Sequence, residues 1–173
     1  MTDVIIQGIN GRMGRVLQEL IAQRNDCRVV AGIDLAASNG DIPVFASFND
    51  LTVKGDVLID FSAPAATRNA IQYCREHKLP CVICTTGLDA ETEAELHELS
   101  SHCAVFKSAN MSMGINLLIK LAKEASLLLG DAYDVEIVEK HHHNKVDAPS
   151  GTALMIADEV NAVNDNKYEY VYD

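Results

Sequence analysis

Val4-Ile5-Ile6-Gln7-Gly8-Ile9-Asn10-Gly11-Arg12-Met13-Gly14 is the stretch that decides the fold. Three β-branched residues in a row read as a short buried strand. The glycines then follow at the spacing G-x-x-G-x-x-G, a variant of the dinucleotide fingerprint. Glycine at the strand exit permits a tight turn, and Gly11 lets the backbone approach a pyrophosphate. Gly14 lets the next helix pack closely on the sheet, and the helix N-terminus aims N–H donors at the phosphates. A strand–helix turn that binds nothing would carry the same glycines. Asp34 argues against that reading, because it ends the next strand about 20 residues beyond Gly14, where an acid holds a ribose diol.

Outward from this loop, short β-branched runs alternate with helical patterns. Strands are expected at residues 4–6, 28–33, 43–46, 56–60, 80–84 and 104–106. Helices are expected at residues 12–24, with Val16, Leu17, Leu20 and Ile21 on one face, after Pro64, and at 89–102. This alternation predicts an α/β fold, a Rossmann-like doubly wound parallel sheet with helices on both faces. The texture changes near residue 110. A long apolar helix over 114–129, an alternating strand over 133–140, a helix over 150–163 and an unpaired strand over 168–172 follow. Residues 1–110 are thus expected to form a dinucleotide-binding domain, and 111–173 a smaller, incomplete α+β substrate-binding domain.

Composition narrows the partners. The 173 residues are 48% hydrophobic and carry a net charge of −11, which disfavours nucleic acid and anionic membranes as partners. No apolar run reaches the length of a membrane span, and the N-terminus has no leader pattern. Five cysteines, an odd number, are expected as reduced thiols in a cytoplasmic protein. Cys81 and Cys84 match C-x-x-C, but within a strand they face opposite sides, so a redox pair is not expected. His77, His97 and His102 fall near helix ends and read as surface or capping residues.

The second constellation runs Glu139-Lys140-His141-His142-His143-Asn144-Lys145-Val146-Asp147-Ala148-Pro149-Ser150-Gly151-Thr152-Ala153. Adjacent histidines on a strand point to opposite faces, and no carboxylate or cysteine cluster accompanies them, so no metal is expected. Histidine titrates near neutrality and lysine supplies a cation, which suits proton transfer. Ser150-Gly151-Thr152 opens a helix whose amides and hydroxyls can seat a carboxylate. In so acidic a chain, this loop is a candidate site for a small anion.

Taken with Cys84-Thr85-Thr86-Gly87 and Ser108-Ala109-Asn110-Met111-Ser112, these stretches resemble dihydrodipicolinate reductase over essentially the whole chain. The Glu139–Ala153 segment is the most specific match. The resemblance implies reduction of 4-hydroxy-tetrahydrodipicolinate by NADH or NADPH, on the diaminopimelate route to lysine. It implies His141 as proton donor and acceptor, Lys145 as proton donor, and His142, Gly151 and Thr152 as substrate-binding residues. Gly8, Ile9, Asn10, Gly11, Arg12, Met13 and Asp34 would bind the cofactor. Cys84, Thr85, Thr86, Ser108, Ala109, Asn110 and Met111 would line its nicotinamide end.

Asp34 favours the free 2′-hydroxyl of NADH, while Arg12 leaves NADPH open. Cys84 stands where the family usually has glycine, and family members run on well past Asp173. The expected partners are a small dicarboxylate and further copies of the chain, a tetramer in the complete family fold. Two alternatives stay open: a shortened module that binds dinucleotide without turnover, and an oxidoreductase acting on a different small substrate.

Overall fold

The computed structural model describes residues 1–143, 145 and 148–172. Asn144, Val146 and Asp147 of the histidine–lysine segment lie outside the described residues. The chain forms two compact units, Met1–Ser108 and Ala109–Asp173.

The first unit is built on strands β1 (Thr2–Gln7), β2 (Cys27–Ile33), β3 (Ser38–Asn39), β4 (Pro43–Phe45), β5 (Val57–Asp60), β6 (Cys81–Ile83) and β7 (Val105–Lys107). They form one seven-stranded sheet in the order β3-β4-β2-β1-β5-β6-β7. All pairings are parallel except β3 with β4. The parallel strands lie in the order of the doubly wound dinucleotide fold, and strand order reverses between β1 and β5. Helices α1 (Arg12–Ala22), α2 (Pro64–His77) and α3 (Ala90–Leu99) make the crossovers. Pro64 at the first turn costs α2 no hydrogen bond, and Asp89 caps α3 by accepting from Thr92 N–H.

Alternation along the strands fills both faces. Ile5, Leu58 and Ile83 belong to one core with Ile71, Leu96 and Leu99, while Val4, Ile6 and Ile9 belong to another with Ile21 and Val44. Each such aliphatic side chain stabilises the fold by about 1.5–3 kcal/mol when fully buried. The face of α1 is as expected at Leu17 and Ile21, which pack into the second core, and differs at Val16 and Leu20. Val16 and Leu20 are exposed, and the buried residues are Gly14 and Ile21. The close approach at Gly14 sets the helix's rotation, so the buried stripe runs through Gly14 and Ile21 rather than through Val16 and Leu20. Strand β3 was not expected; at two residues it is too short to leave a periodic signal.

The second unit contains α4 (Met113–Leu129) and α5 (Gly151–Val163), which pack on each other, with Lys123 paired to Glu159. The strand expected over residues 133–140 does not form, and Val135 and Ile137 are exposed. Nor does one form over 168–172. Alternation marks a segment able to pair, but a strand needs a neighbour for its N–H and C=O groups. Among the described residues of this unit there is no strand to supply one.

Candidate active site

The glycine turn sits at the carboxyl end of β1, beside the reversal in strand order. Gly8 has φ +77°, and a Cβ there would lie 2.5 Å from Phe61 O. A Cβ on Gly14 would lie 2.3 Å from Gly8 O and 2.4 Å from Ile9 O. Only glycine fits at either place. Gly8 N–H donates to Ile33 O at 2.8 Å and Gly11 N–H to Gly8 O at 3.0 Å, so the turn is tied to β2 and closed on itself. No side chain caps α1. Asn10, Gly11, Arg12 and Met13 are exposed at its start, whereas Ile9 is buried beneath.

Asp34 follows β2 directly. Its Oδ2 accepts from Asn10 N–H at 2.9 Å and its Oδ1 from Leu35 N–H at 2.8 Å. The expected ribose acid therefore also clamps the glycine turn. A carboxylate offers roughly four lone-pair sites, so these two bonds leave capacity for a diol. The glycine cradle and this acid together fit a dinucleotide.

On the other side of β1, Cys84 N–H donates to Asp60 O at 2.9 Å and Ser108 N–H to Ile83 O at 3.1 Å, carrying the ladder past the ends of β6 and β7. Cys84 and Thr85 are buried and Thr86 is exposed. Desolvation, with the Asp60 charge adding to it, pushes the Cys84 thiol up to about 12. Asp60, fully buried at the end of β5, has no role in the sequence pattern. Its Oδ1 accepts from Ser62 N–H at 3.0 Å and Ser62 Oγ at 2.5 Å. Its Oδ2 accepts from Thr67 Oγ1 at 2.6 Å and Thr85 Oγ1 at 2.9 Å. An acid closing an otherwise apolar strand was the only sequence signal.

In the second unit, Glu139 joins the candidate proton donor His141 to the start of α5. Its Oε2 lies 2.7 Å from His141 Nε2, and its Oε1 accepts from Ser150 N–H at 2.8 Å. Ser150 Oγ donates to Glu139 Oε2 and accepts from Ala153 N–H, capping α5. The Ser150 hydroxyl first, and then His141, hold the Glu139 carboxyl at about 2. The sequence pattern includes Glu139 but gives it no role. The 11 residues separating it from Ser150 hide the contact. Gly151 and Thr152 open α5, and Thr152 Oγ1 accepts from Asn110 Nδ2 at 3.0 Å. His142 is exposed, and its carbonyl accepts from Lys145 N–H at 3.1 Å. Ala109 and Met111 are exposed on either side of Asn110.

Among the described residues no group of three or more His, Cys, Asp or Glu is placed to hold a metal, and no helix is long and apolar enough to cross a membrane. An apolar groove of about 460 Å³ between α4, residues 133–138 and α5 includes none of these site residues.

Comparison with known proteins covers both constellations. The family profile "Dihydrodipicolinate reductase, N-terminus" matches residues 2–111, and its C-terminal counterpart matches residues 114–170. The chain is 44% identical to the 4-hydroxy-tetrahydrodipicolinate reductase of Clostridium tetani, over 99% of this chain and 68% of that one. It is 47% identical to that of Caldanaerobacter subterraneus, with the same coverage. The solved structure of a dipicolinate-bound dihydrodipicolinate reductase from Paenisporosarcina sp. TG-14 superposes with a TM-score of 0.75 at 28% identity, covering 100% of this chain and 70% of that one. A myo-inositol 2-dehydrogenase from Lactobacillus plantarum, at 16% identity and TM-score 0.56, shares the fold alone. The chain belongs to the dihydrodipicolinate reductase family.

Proposed function

We propose that the chain reduces 4-hydroxy-tetrahydrodipicolinate with a reduced pyridine nucleotide, in the diaminopimelate route to lysine. The observation that carries this reading is the cradle at the strand-order reversal, where Gly8 and Gly14 leave no room for a Cβ. Gly8, Ile9, Asn10, Gly11, Arg12 and Met13 would hold the pyrophosphate, and Asp34 the adenosine ribose. Cys84, Thr85, Thr86, Ser108, Ala109, Asn110 and Met111 would surround the nicotinamide. When bound, that ring supplies a hydride. The remaining capacity of the Asp34 carboxylate suits the free diol of NADH and opposes the 2′-phosphate of NADPH.

His141 transfers the proton in this reading. With Nε2 held by anionic Glu139, Nδ1 is the atom that exchanges it. Lys145 is a second proton donor and neutralises the dicarboxylate. His142 and the α5 N-terminus at Gly151 and Thr152 hold one carboxylate. Residues 1–110 act as the dinucleotide domain and 111–173 as the substrate domain. The working form is a cytoplasmic homo-oligomer, a tetramer in the complete family fold. Free thiols at all five cysteines support the compartment, and exposed Leu117, Leu121 and Leu128 on α4 support association.

The test combines NADH titration with turnover of freshly prepared substrate. Lys145→Ala should lower kcat on the order of a hundredfold with little change in NADH affinity. Asp34→Ala should weaken NADH about tenfold and spare kcat. Lys145→Ala that loosens NADH and leaves kcat intact would overturn the roles. One observation favours a second reading, binding without turnover: residues 133–140, which lead into His141, run without a strand partner. Tight NADH binding with no loss of nicotinamide absorbance would establish it.

A further inference from the structure

Asp60 is a carboxylate with no exposed surface, and the four groups that donate to it are all neutral. Burying such a group costs free energy that neutral donors only partly offset, and an apolar residue would hold the strand end at lower cost. Its partners give it a different use. Ser62 lies in the loop after β5, Thr67 in the first turns of α2, and Thr85 in the loop after β6. Ser62 N–H also reaches Thr85 Oγ1 at 3.2 Å, so the two loops are joined to each other as well as to Asp60. The first loop also meets the glycine turn: Phe61 O is the atom that a Cβ on Gly8 would strike.

Topology says which half of a dinucleotide these loops face. Asp34, the ribose acid, follows β2 on one side of β1, and the phosphate cradle follows β1 itself. β5 and β6 lie on the opposite side of β1, so their loops receive the nicotinamide half. Resting on the cofactor reading above, we propose that Asp60 is a positioning residue. By binding Ser62, Thr67 and Thr85 together, it holds the β5–α2 and β6–α3 loops in the conformation that receives the nicotinamide. Thr86, exposed next to buried Thr85, is presented as a consequence.

The experiment measures dissociation constants for NADH and for ADP-ribose, which lacks the nicotinamide ring, using the full 173-residue chain. Asp60→Ala should weaken NADH about tenfold or more and leave ADP-ribose unchanged. Asp60→Asn should restore most of the loss, because its oxygen can still serve Ser62 while the threonine hydroxyls turn to accept from its amide. Thr67→Val removes a single donor, keeps the shape, and lies outside the proposed cofactor contacts. It should weaken NADH severalfold, and it tests the idea even if Asp60→Ala does not fold. Equal weakening of both ligands, or unchanged NADH affinity in folded Thr67→Val and Asp60→Ala, would overturn the proposal alone. A wild-type chain that binds neither ligand would overturn the cofactor reading and this proposal with it.

Discussion

Gly14→Ala sets two local rules against each other, and the structure says which wins. On helix propensity alone, the change should stabilise α1 by about 1 kcal/mol. The added Cβ, however, would sit 2.3 Å from Gly8 O, 2.4 Å from Ile9 O and 2.6 Å from Ile9 C. Ordinary contact begins at 3.4 Å, so three atoms must retreat by about an ångström. All three are backbone, so no rotamer change can absorb the clash. Gly8 O also accepts from Gly11 N–H, so retreat spreads into the turn. Overpacking of this kind costs about 1–3 kcal/mol, and the rigidity of these atoms puts the cost near the top of that range. The net loss is then about 2 kcal/mol, or a fall of about 1 M in the urea midpoint. Far-UV circular dichroism during urea unfolding would measure it. Gly87→Ala is the control: φ is +73° with nothing within 4 Å of the new Cβ, so backbone strain of about 1 kcal/mol is its whole effect. NADH affinity should fall with Gly14→Ala, because the cradle moves. Gly14→Ala as stable as wild type would refute the close-approach reading.

Acid should destabilise the first unit over a defined window. Hydrogen bonds from Arg24 hold Asp26 at about 2, and Thr92, followed by Arg68, holds Asp89 at about 2, against an ordinary 3.8. Folded values below unfolded ones give stability that is full above the unfolded value and lost as pH falls through the folded one. The urea midpoint should therefore drop between about pH 4 and pH 2, less steeply in Asp89→Asn, which keeps the cap; equal slopes would refute the assignment. Buried Cys84 should resist alkylation in the folded chain at mildly alkaline pH, while half-buried Cys27 reacts. Mass mapping of early Cys84 adducts would contradict its burial.

The parallel sheet was legible because β1, β5 and β6 are short, largely buried runs bounded by turn residues, a signal contained within a few positions. The helix faces were less so. The apolar residues of α1 suggested a stripe through Val16, Leu17, Leu20 and Ile21, but with Gly14, a residue with no side chain, against the sheet, only Leu17 and Ile21 face the core and Val16 and Leu20 are exposed. Residues 133–140 have the alternation of a half-buried strand without being one, since pairing belongs to two segments and a single segment cannot display it. The site divides along the same line. Gly8, Gly11, Gly14 and Asp34 follow a spacing set by one strand–turn–helix unit. Asp60 with Thr85, and Glu139 with Ser150, are joined across 25 and 11 residues by chemically ordinary side chains. Nothing in their local sequence announces the contact.

Other non-local contacts explain why the glycine turn can hold its shape before any ligand arrives. Gly8 is at a positive φ, with its amide bonded to β2. The Asn10 amide is held by Asp34, and Phe61 closes against Gly8 from the β5 side. The two strands that flank β1 thus set the turn, β2 through two hydrogen bonds and β5 through a close approach. A turn held this way loses little conformational freedom on binding, so phosphate contacts made there can appear as affinity instead of being spent on ordering the loop. The same logic makes the cradle sensitive to changes that touch no ligand. A change that moves the end of β2 moves Ile33 O and, with it, the Gly8 amide.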